Sequence, residues 1–264
     1  MENNVKNQLL VVSDPDALAA AAADRFVRLA RQAVAAHGRF SVALAGGSTP
    51  QKMYRLLAQS PRREQVEWPN VHIFWGDERF VAPNDPDSLW RMARETFLDE
   101  VPLPAANIHP MPTAGLTPAV AAAQYANTLA RFFAPGPIRF DLMLLGMGDD
   151  GHTASIFPGQ TAVIASPEPV VPVTDAPKPP PTRLTLTLGV INQAANVILL
   201  VTGEAKAAAV AQVLSGERDR HQWPVQAVQP ENGRLLWLLD QAAARMVAPD
   251  ADRSKSWRQP NRND

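Results

Sequence analysis

Short, almost entirely apolar segments recur along the chain, and each is followed by glycine or polar residues and then by a helical pattern. Five such segments stand out, at residues 40–45, 71–75, 140–145, 196–202 and 234–239. Near-continuous apolar runs of this length are typical of strands buried on both faces of a parallel sheet. Their alternation with helices predicts an α/β protein with a Rossmann-like, doubly wound, mostly parallel sheet and helices on both faces.

The segments around these strands predict a single domain over residues 1–248. A long helix is expected at 17–36, with Ser13 or Asp14 as its N-cap and Pro15 in its first turn. Residues 158–181 are rich in proline and predict a long, rigid loop. Apolar and polar residues alternate strictly over residues 184–188, which predicts a strand with one exposed face. The polar residues 249–264 predict a flexible tail.

Composition excludes several classes of protein. The 264 residues carry 25 Lys and Arg against 26 Asp and Glu, a balance that argues against nucleic-acid binding. The absence of cysteine excludes disulfides, zinc–thiolate sites, iron–sulfur clusters and cysteine nucleophiles. The five histidines show no paired spacing, which gives little support for a metal site. We expect neither a metal nor a cofactor. No signal peptide or membrane span is evident, and we therefore expect a cytoplasmic protein without a membrane partner.

Polar clusters follow three of the predicted strands, where the carboxyl ends of a parallel sheet place a binding crevice. The first cluster is GGSTP at residues 46–50. Gly46 and Gly47 allow close backbone approach, Ser48 or Thr49 can cap the next helix, and Pro50 suits its first turn. Amides at such a helix start bind anions, and phosphate fits best. The alternative is an ordinary strand-to-helix turn. No Walker A sequence follows, and Pro50 excludes a serine-hydrolase elbow.

The second cluster places Asp77, Glu78 and Arg79 directly after a strand. An arginine there offers a fixed fork of donors for a phosphate or a developing oxyanion, and a neighbouring acid can orient it or act as a base. The alternative is a surface group of salt bridges.

The third cluster, residues 146–152, matches G-x-G-x-x-G and continues into a histidine. A dinucleotide site is not expected, because a proline-rich segment follows and the nearest acid, Glu168, lies inside it. His152 is instead predicted to be a general base whose tautomer is fixed by Asp149 or Asp150. The alternative is a histidine that only hydrogen-bonds its own loop.

Five motifs together give the chain a specific resemblance. They are LAGGSTP (44–50), WGDERFV (75–81), LLGMGDDGHTASIFPG (144–159), RLTLT (183–187) and TGEAK (202–206). In these motifs and their order the chain resembles the 6-phosphogluconolactonases. Their superfamily also holds glucosamine-6-phosphate deaminases and ribose-5-phosphate isomerases, which bind sugar phosphates on a Rossmann-like sheet.

The resemblance implies hydrolysis of 6-phosphoglucono-δ-lactone in the oxidative pentose phosphate pathway, by a monomer or homodimer. It implies that His152 deprotonates the attacking water and that Asp150 orients it. The substrate, a small sugar-phosphate lactone, would be bound by Gly47, Ser48, Thr49, Asp77, Arg79, Lys206 and, as a weaker candidate, Arg183. Two positions depart from the family pattern: Leu89 follows Ser88 where asparagine is common, and Trp223-Pro224-Val225 stands where Pro-Ala is frequent.

Two other functions stay open. An amino-sugar-phosphate deaminase or isomerase of the same superfamily would move a proton at carbon, and ammonia release from glucosamine 6-phosphate would identify it. A non-catalytic sugar-phosphate sensor would need a DNA-binding module. The 39 residues before the first core strand predict a short strand and a long helix instead.

Overall fold

The computed structural model describes residues 7–247, so the tail predicted at 249–264 lies outside the described residues. The strands are β1 (Asn7–Val12), β2 (Phe40–Leu44), β3 (Val71–Trp75), β4 (Asp77–Arg79), β5 (Leu142–Gly146), β6 (Val170–Val173), β7 (Arg183–Leu186), β8 (Asn196–Val201) and β9 (Arg234–Asp240). The helices are α1 (Pro15–His37), α2 (Ser48–Leu57), α3 (Arg62–Gln65), α4 (Leu89–Thr96), α5 (Pro118–Phe133), α6 (Thr161–Ile164), α7 (Leu188–Ile191), α8 (Ala207–Ser215) and α9 (Gln241–Ala244). Within this part of the chain, no helix combines the length and apolar character needed to span a membrane.

Six strands form one parallel sheet in the order β1-β9-β8-β5-β2-β3. Each of the five predicted apolar segments supplies one strand, so the predicted fold class is confirmed. From β2 the chain moves outward to β3, whereas from β5 it moves the other way to β8 and β9. Right-handed crossovers in opposite directions place helices on opposite faces and open a crevice where the directions diverge. That point lies between the carboxyl ends of β2 and β5.

Helix α1 shows how local sequence sets an element. Asp14 is its N-cap, and its carboxylate accepts hydrogen bonds from the amides of Asp16 and Ala17 at 3.0 and 2.9 Å. This confirms the second of the two predicted caps. The helix ends where Gly38 adopts a left-handed conformation with φ of 81°. Its buried positions include Leu18, Ala22, Phe26 and Ala30, a four-residue spacing that turns one face toward the sheet.

A second, antiparallel sheet of three strands has the order β4-β7-β6. It corrects three predictions. Residues 77–79, expected only as a polar cluster after a strand, themselves form a strand, and residues 158–181 contain α6 and β6 rather than only loop. The strand predicted at 184–188 is Arg183–Leu186, and both of its faces are buried. The face of this strand that carries Thr185 is covered, because the Thr185 hydroxyl accepts a hydrogen bond from the Ser155 amide at 3.3 Å.

Two buried tyrosine hydroxyls form hydrogen bonds with the backbone at the carboxyl ends of β2 and β3, beside the crevice. The Tyr54 hydroxyl donates to the carbonyl of Ala45 at 2.8 Å and accepts from its amide at 3.1 Å. The Tyr125 hydroxyl likewise accepts from the amide of Trp75 at 2.9 Å and donates to its carbonyl at 3.3 Å. Because the strands diverge there, these hydroxyls replace the missing backbone partners and hold the loops that follow.

Candidate active site

A cleft of about 190 Å³ opens where β2 and β5 diverge, as the strand order requires. Its walls come from the carboxyl ends of β2 and β5 and the residues that follow them, from β4, from the first residue of β7 and from the turn after β8. Six of the predicted site residues line it: Gly47, Asp77, Arg79, His152, Arg183 and Lys206. Ser48, Thr49 and Asp150 do not form its wall. The three sequence clusters therefore meet in one place.

His152 lies at the end of the loop after β5 and is held by Asp150. The Asp150 Oδ1 atom lies 2.5 Å from His152 Nδ1 and also accepts the His152 amide at 3.2 Å. This contact leaves Nε2 as the ring nitrogen available to a water or a substrate. Gly148 makes the arrangement possible, because a Cβ at that position would collide with both His152 and Asp150. The structure thus places Asp150, rather than Asp149, against His152.

The acid beside His152 is held in its ionised form. Burial raises the pKa of Asp150. The hydrogen bonds and charge of His152 and the charge of Lys178 lower this pKa by more than burial raises it, so the net pKa is well below its usual value. Asp149 forms an ion pair with Lys178 instead. An ionised Asp150 stabilises positive charge on His152, as a general base requires when it takes a proton.

The same cleft carries a cationic wall. Arg79 and Arg183 are direct cross-strand partners of β4 and β7 and lie on the same face of that sheet. The Arg79 Nε is buried and has no hydrogen-bond partner within residues 7–247. Two like charges placed opposite each other are unfavourable unless an anion neutralises them. This pair, open to the cleft, suits a phosphate group.

Arg183 differs from the sequence expectation, because most of its donors are already used. Its Nη2 donates to the carbonyls of Lys178 and Pro179 at 2.9 and 3.2 Å, and its Nε donates to the carbonyl of Pro180 at 3.0 Å. Burial and the neighbouring charge of Arg79 lower its pKa. Arg183 therefore anchors the proline-rich segment as well as contributing charge to the cleft.

Lys206 completes the set of cations. It ends a 3-10 turn at Glu204–Lys206, directly before α8. Burial lowers its pKa, and the charge of Lys178 adds to this, whereas Asp149 and Asp150 act in the opposite direction. An anionic ligand would offset the cost of keeping this partly buried ammonium charged.

The start of α2 corrects the predicted capping. The N-cap is Gly47, with φ of 105° and ψ of 168°, and no side chain caps the helix. Neither Ser48 nor Thr49 therefore fills that role. The Thr49 hydroxyl lies 2.7 Å from the Thr202 hydroxyl and links α2 to the end of β8. A glycine N-cap leaves the first helical amides unobstructed, the arrangement that anions favour.

Two buried acids of the second cluster support the cleft. Glu78, only 2% exposed, accepts the amides of Arg79, Leu89 and Trp90 at 2.7, 2.8 and 2.7 Å and so joins β4 to the start of α4. Burial raises its pKa to about 7, whereas these hydrogen bonds act to lower it. Asp77 accepts the Ser155 hydroxyl at 2.7 Å. The sequence singled out Glu78 only as a neighbour of Arg79, since its other two amide donors, Leu89 and Trp90, lie 11 and 12 residues away.

Leu89 occupies the position where the resemblance led us to expect asparagine. It lines the cleft and packs so closely over Gly46 that a Cβ there would collide with its methyl groups. The cleft therefore has an apolar wall at this point. Among the described residues, no group of three or more potential metal-ligating side chains lies together.

Comparisons with known proteins agree with this fold. Residues 13–237 match the family model described as glucosamine-6-phosphate isomerases/6-phosphogluconolactonase. A Synechocystis protein named 6-phosphogluconolactonase is 44% identical over 221 residues, which cover 83% of this chain and 89% of that protein. A solved 6-phosphogluconolactonase from Trypanosoma brucei has a TM-score of 0.79 at 31% identity and is matched over 93% of this chain and all of its own.

A monomeric glucosamine-6-phosphate deaminase superposes with a TM-score of 0.76 at 21% identity, covering 90% of this chain and 99% of its own, which shows a shared fold alone. The fold and the cleft define an α/β protein whose parallel strands diverge at a crevice lined by a histidine and several cationic side chains. The chain belongs to the glucosamine-6-phosphate isomerase/6-phosphogluconolactonase family, and the resemblance noted in the sequence is confirmed.

Proposed function

We propose that this protein hydrolyses 6-phosphoglucono-δ-lactone to 6-phosphogluconate, a step of the oxidative pentose phosphate pathway. The observation that carries the proposal is that His152, paired with Asp150, lines the same cleft as Arg79 and Arg183. The cleft thus combines a base with positive charge for a phosphate. The relatives named 6-phosphogluconolactonase, at about 40% identity over most of the chain, support the same choice.

In the proposed reaction, His152 Nε2 takes a proton from water while the water oxygen bonds to the lactone carbonyl carbon. The tetrahedral intermediate then breaks its bond to the ring oxygen, and the imidazolium returns the proton to that oxygen, which becomes a hydroxyl group. The new carboxylic acid ionises and releases one proton to solvent. A lactone is an activated ester, so a positioned water, a base and nearby positive charge suffice for the chemistry.

Asp150 supports this cycle from the far side of the ring. Its contact with Nδ1 fixes the tautomer that leaves Nε2 unprotonated, and its charge stabilises the imidazolium formed during the attack. Removal of such an orienting carboxylate lowers turnover strongly in comparable acid–histidine pairs.

The phosphate is proposed to lie against Arg79, whose buried Nε has no partner in the described chain, and near Gly47 at the start of α2. Lys206 adds charge from the turn after β8. Since these groups are fixed by β4, α2 and β8, they orient the lactone ring toward His152. Ser48 and Thr49 are proposed to contribute backbone amides rather than hydroxyl groups.

The test is hydrolysis of freshly prepared 6-phosphoglucono-δ-lactone, followed against its spontaneous rate. We expect marked acceleration, and at least about a hundredfold lower kcat/KM with unphosphorylated glucono-δ-lactone, because phosphate contacts then contribute nothing. Arg79→Met should remove most of that preference, whereas Arg28→Met on the exposed side of α1 should not. Equal rates on the two lactones would contradict the phosphate site, and ammonia release from glucosamine 6-phosphate would indicate a deaminase instead.

A further inference from the structure

Lys178, at the end of the proline-rich segment, reaches the two acids of the loop that carries His152. Its ammonium group forms an ion pair with Asp149 and lies 3.7 Å from Asp150 Oδ2. Asp150 Oδ1, the other oxygen of the same carboxylate, is the atom that contacts His152 Nδ1. One carboxylate therefore stands between an ammonium group and the imidazole, and the proposed function assigns no role to the ammonium group.

Hydrogen bonds from Arg183 fix the backbone of Lys178. Arg183 is 3% exposed and donates to the carbonyls of Lys178, Pro179 and Pro180. Its guanidinium carbon also lies 5.4 Å from the centre of the Phe157 ring, and that ring lies 4.5 Å from the His152 ring. Arg183 and Phe157, both buried, therefore connect the segment that carries Lys178 to the ring of His152.

We propose that Lys178 is a positioning residue for the His152–Asp150 pair: it orients the Asp150 carboxylate, and its charge keeps His152 unprotonated, and so able to act as a base, at lower pH. This proposal rests on the proposed function, because it assigns Lys178 a role only if His152 is the base. Lys178 itself would not touch the reacting atoms.

The direction of the effect follows from the charges around the pair. Asp149 and Lys178 lie on one side, Lys206 lies after β8, and Asp77, Arg79 and Arg183 project from the small sheet. Removing the positive charge of Lys178 takes away the cation that contacts Asp149 and Asp150 directly, so the negative charge near His152 increases. The protonated imidazole then becomes more stable, and the pH below which activity falls should rise.

The expected change is modest because the Lys178 side chain is 41% exposed and solvent screens its charge. We expect Lys178→Met to move the acidic limb of the kcat/KM profile upward by about 0.5 to 1 pH unit. At pH values on that limb, this corresponds to a rate about three to ten times lower, with little change at high pH.

The experiment measures kcat/KM from pH 5 to 8 by proton release in a pH-stat. Lys178→Met is compared with Lys178→Arg, which keeps the charge, and with Lys52→Met, which removes an equally exposed lysine paired with Asp16 away from the cleft. Only Lys178→Met should move the limb. A Lys178→Met profile that overlays the wild type, even at a lower rate, overturns the proposal, as does a Lys178→Arg profile displaced as far as that of Lys178→Met.

A second measurement does not depend on turnover. The ring protons of His152 can be titrated by NMR in the wild type and in Lys178→Met, with His152→Gln used to assign the signal. The titration midpoint should rise by the same amount as the kinetic limb, and an unchanged midpoint overturns the proposal. Absence of lactonase activity in the wild type would instead refute the proposed function, so the two failures are distinguishable.

Discussion

The Tyr54 hydroxyl holds the end of β2 in place, and its removal tests how the cleft is supported. Tyr54→Phe deletes one oxygen atom that donates to the Ala45 carbonyl at 2.8 Å and accepts from the Ala45 amide at 3.1 Å. Tyr54 is fully buried, so water cannot replace either bond directly. The ring keeps its stacking on Phe97, with centroids 5.0 Å apart, and the packing of the aromatic ring is therefore unchanged.

The expected cost follows from these two contacts. An unpaired buried donor or acceptor costs about 1 to 3 kcal/mol, so leaving both the amide and the carbonyl of Ala45 unpaired should lower the free energy of unfolding by about 2 to 6 kcal/mol. The Tm should fall accordingly. Because Gly46 and Gly47 follow Ala45 and line the cleft, kcat/KM should also fall, by about fivefold.

Urea unfolding followed by tryptophan fluorescence measures this cost. Thr128→Ala is a suitable control, since it deletes a hydroxyl that donates to the Gln124 carbonyl on an exposed helix face. That change should alter the free energy of unfolding by less than about 0.5 kcal/mol. If Tyr54→Phe costs no more than Thr128→Ala, then the hydroxyl does not support the end of β2 and the reasoning is wrong.

Three further predictions concern other parts of the molecule. Gly148→Ala should lower kcat by at least about a hundredfold while leaving Tm nearly unchanged, because its Cβ would displace the His152 ring; steady-state kinetics and thermal unfolding check both. Burial lowers the pKa of His109 to about 4, so the unfolded chain takes up a proton first and stability should fall by about 1 to 2 kcal/mol from pH 6.5 toward 4. His109→Gln should remove that loss, measured as unfolding free energies at pH 7 and 4.5; an identical loss in the variant would contradict the assignment. Glu78→Ala should raise KM and loosen α4, seen as faster amide exchange at Leu89, since three amides lose their acceptor.

The parallel sheet could be predicted because its strands carry their own signal. Strands buried on both faces need a continuous apolar run, and such runs are visible without knowledge of their partners. The small sheet carries no such signal. Its strand β4 consists of three charged residues, and β6 contains Pro172, which an edge strand tolerates because it pairs on one side only. These strands form because β7 lies between them, a long-range fact that local patterns do not contain.

In the candidate site, too, some features could be predicted from local sequence and others depend on residues distant in the chain. Strand ends place His152, Arg79 and Gly47 in one crevice, so their proximity could be predicted from the order of elements. The N-cap of α2 was predicted wrongly because Ser48 and Thr49 are favoured caps, yet Gly47 takes the position with a backbone that those residues adopt rarely. The role of Glu78 at α4 and the approach of Lys178 to Asp150 depend on residues distant in sequence.

The most direct measurement compares the turnover of 6-phosphoglucono-δ-lactone by the wild type and by His152→Gln, with binding of 6-phosphogluconate measured for both. Glutamine keeps polar contacts but cannot take a proton, so kcat should fall at least about a hundredfold while product affinity stays within a few-fold. If His152→Gln turns over the lactone at the wild-type rate, His152 is not the base, and the proposed chemistry of the cleft is wrong.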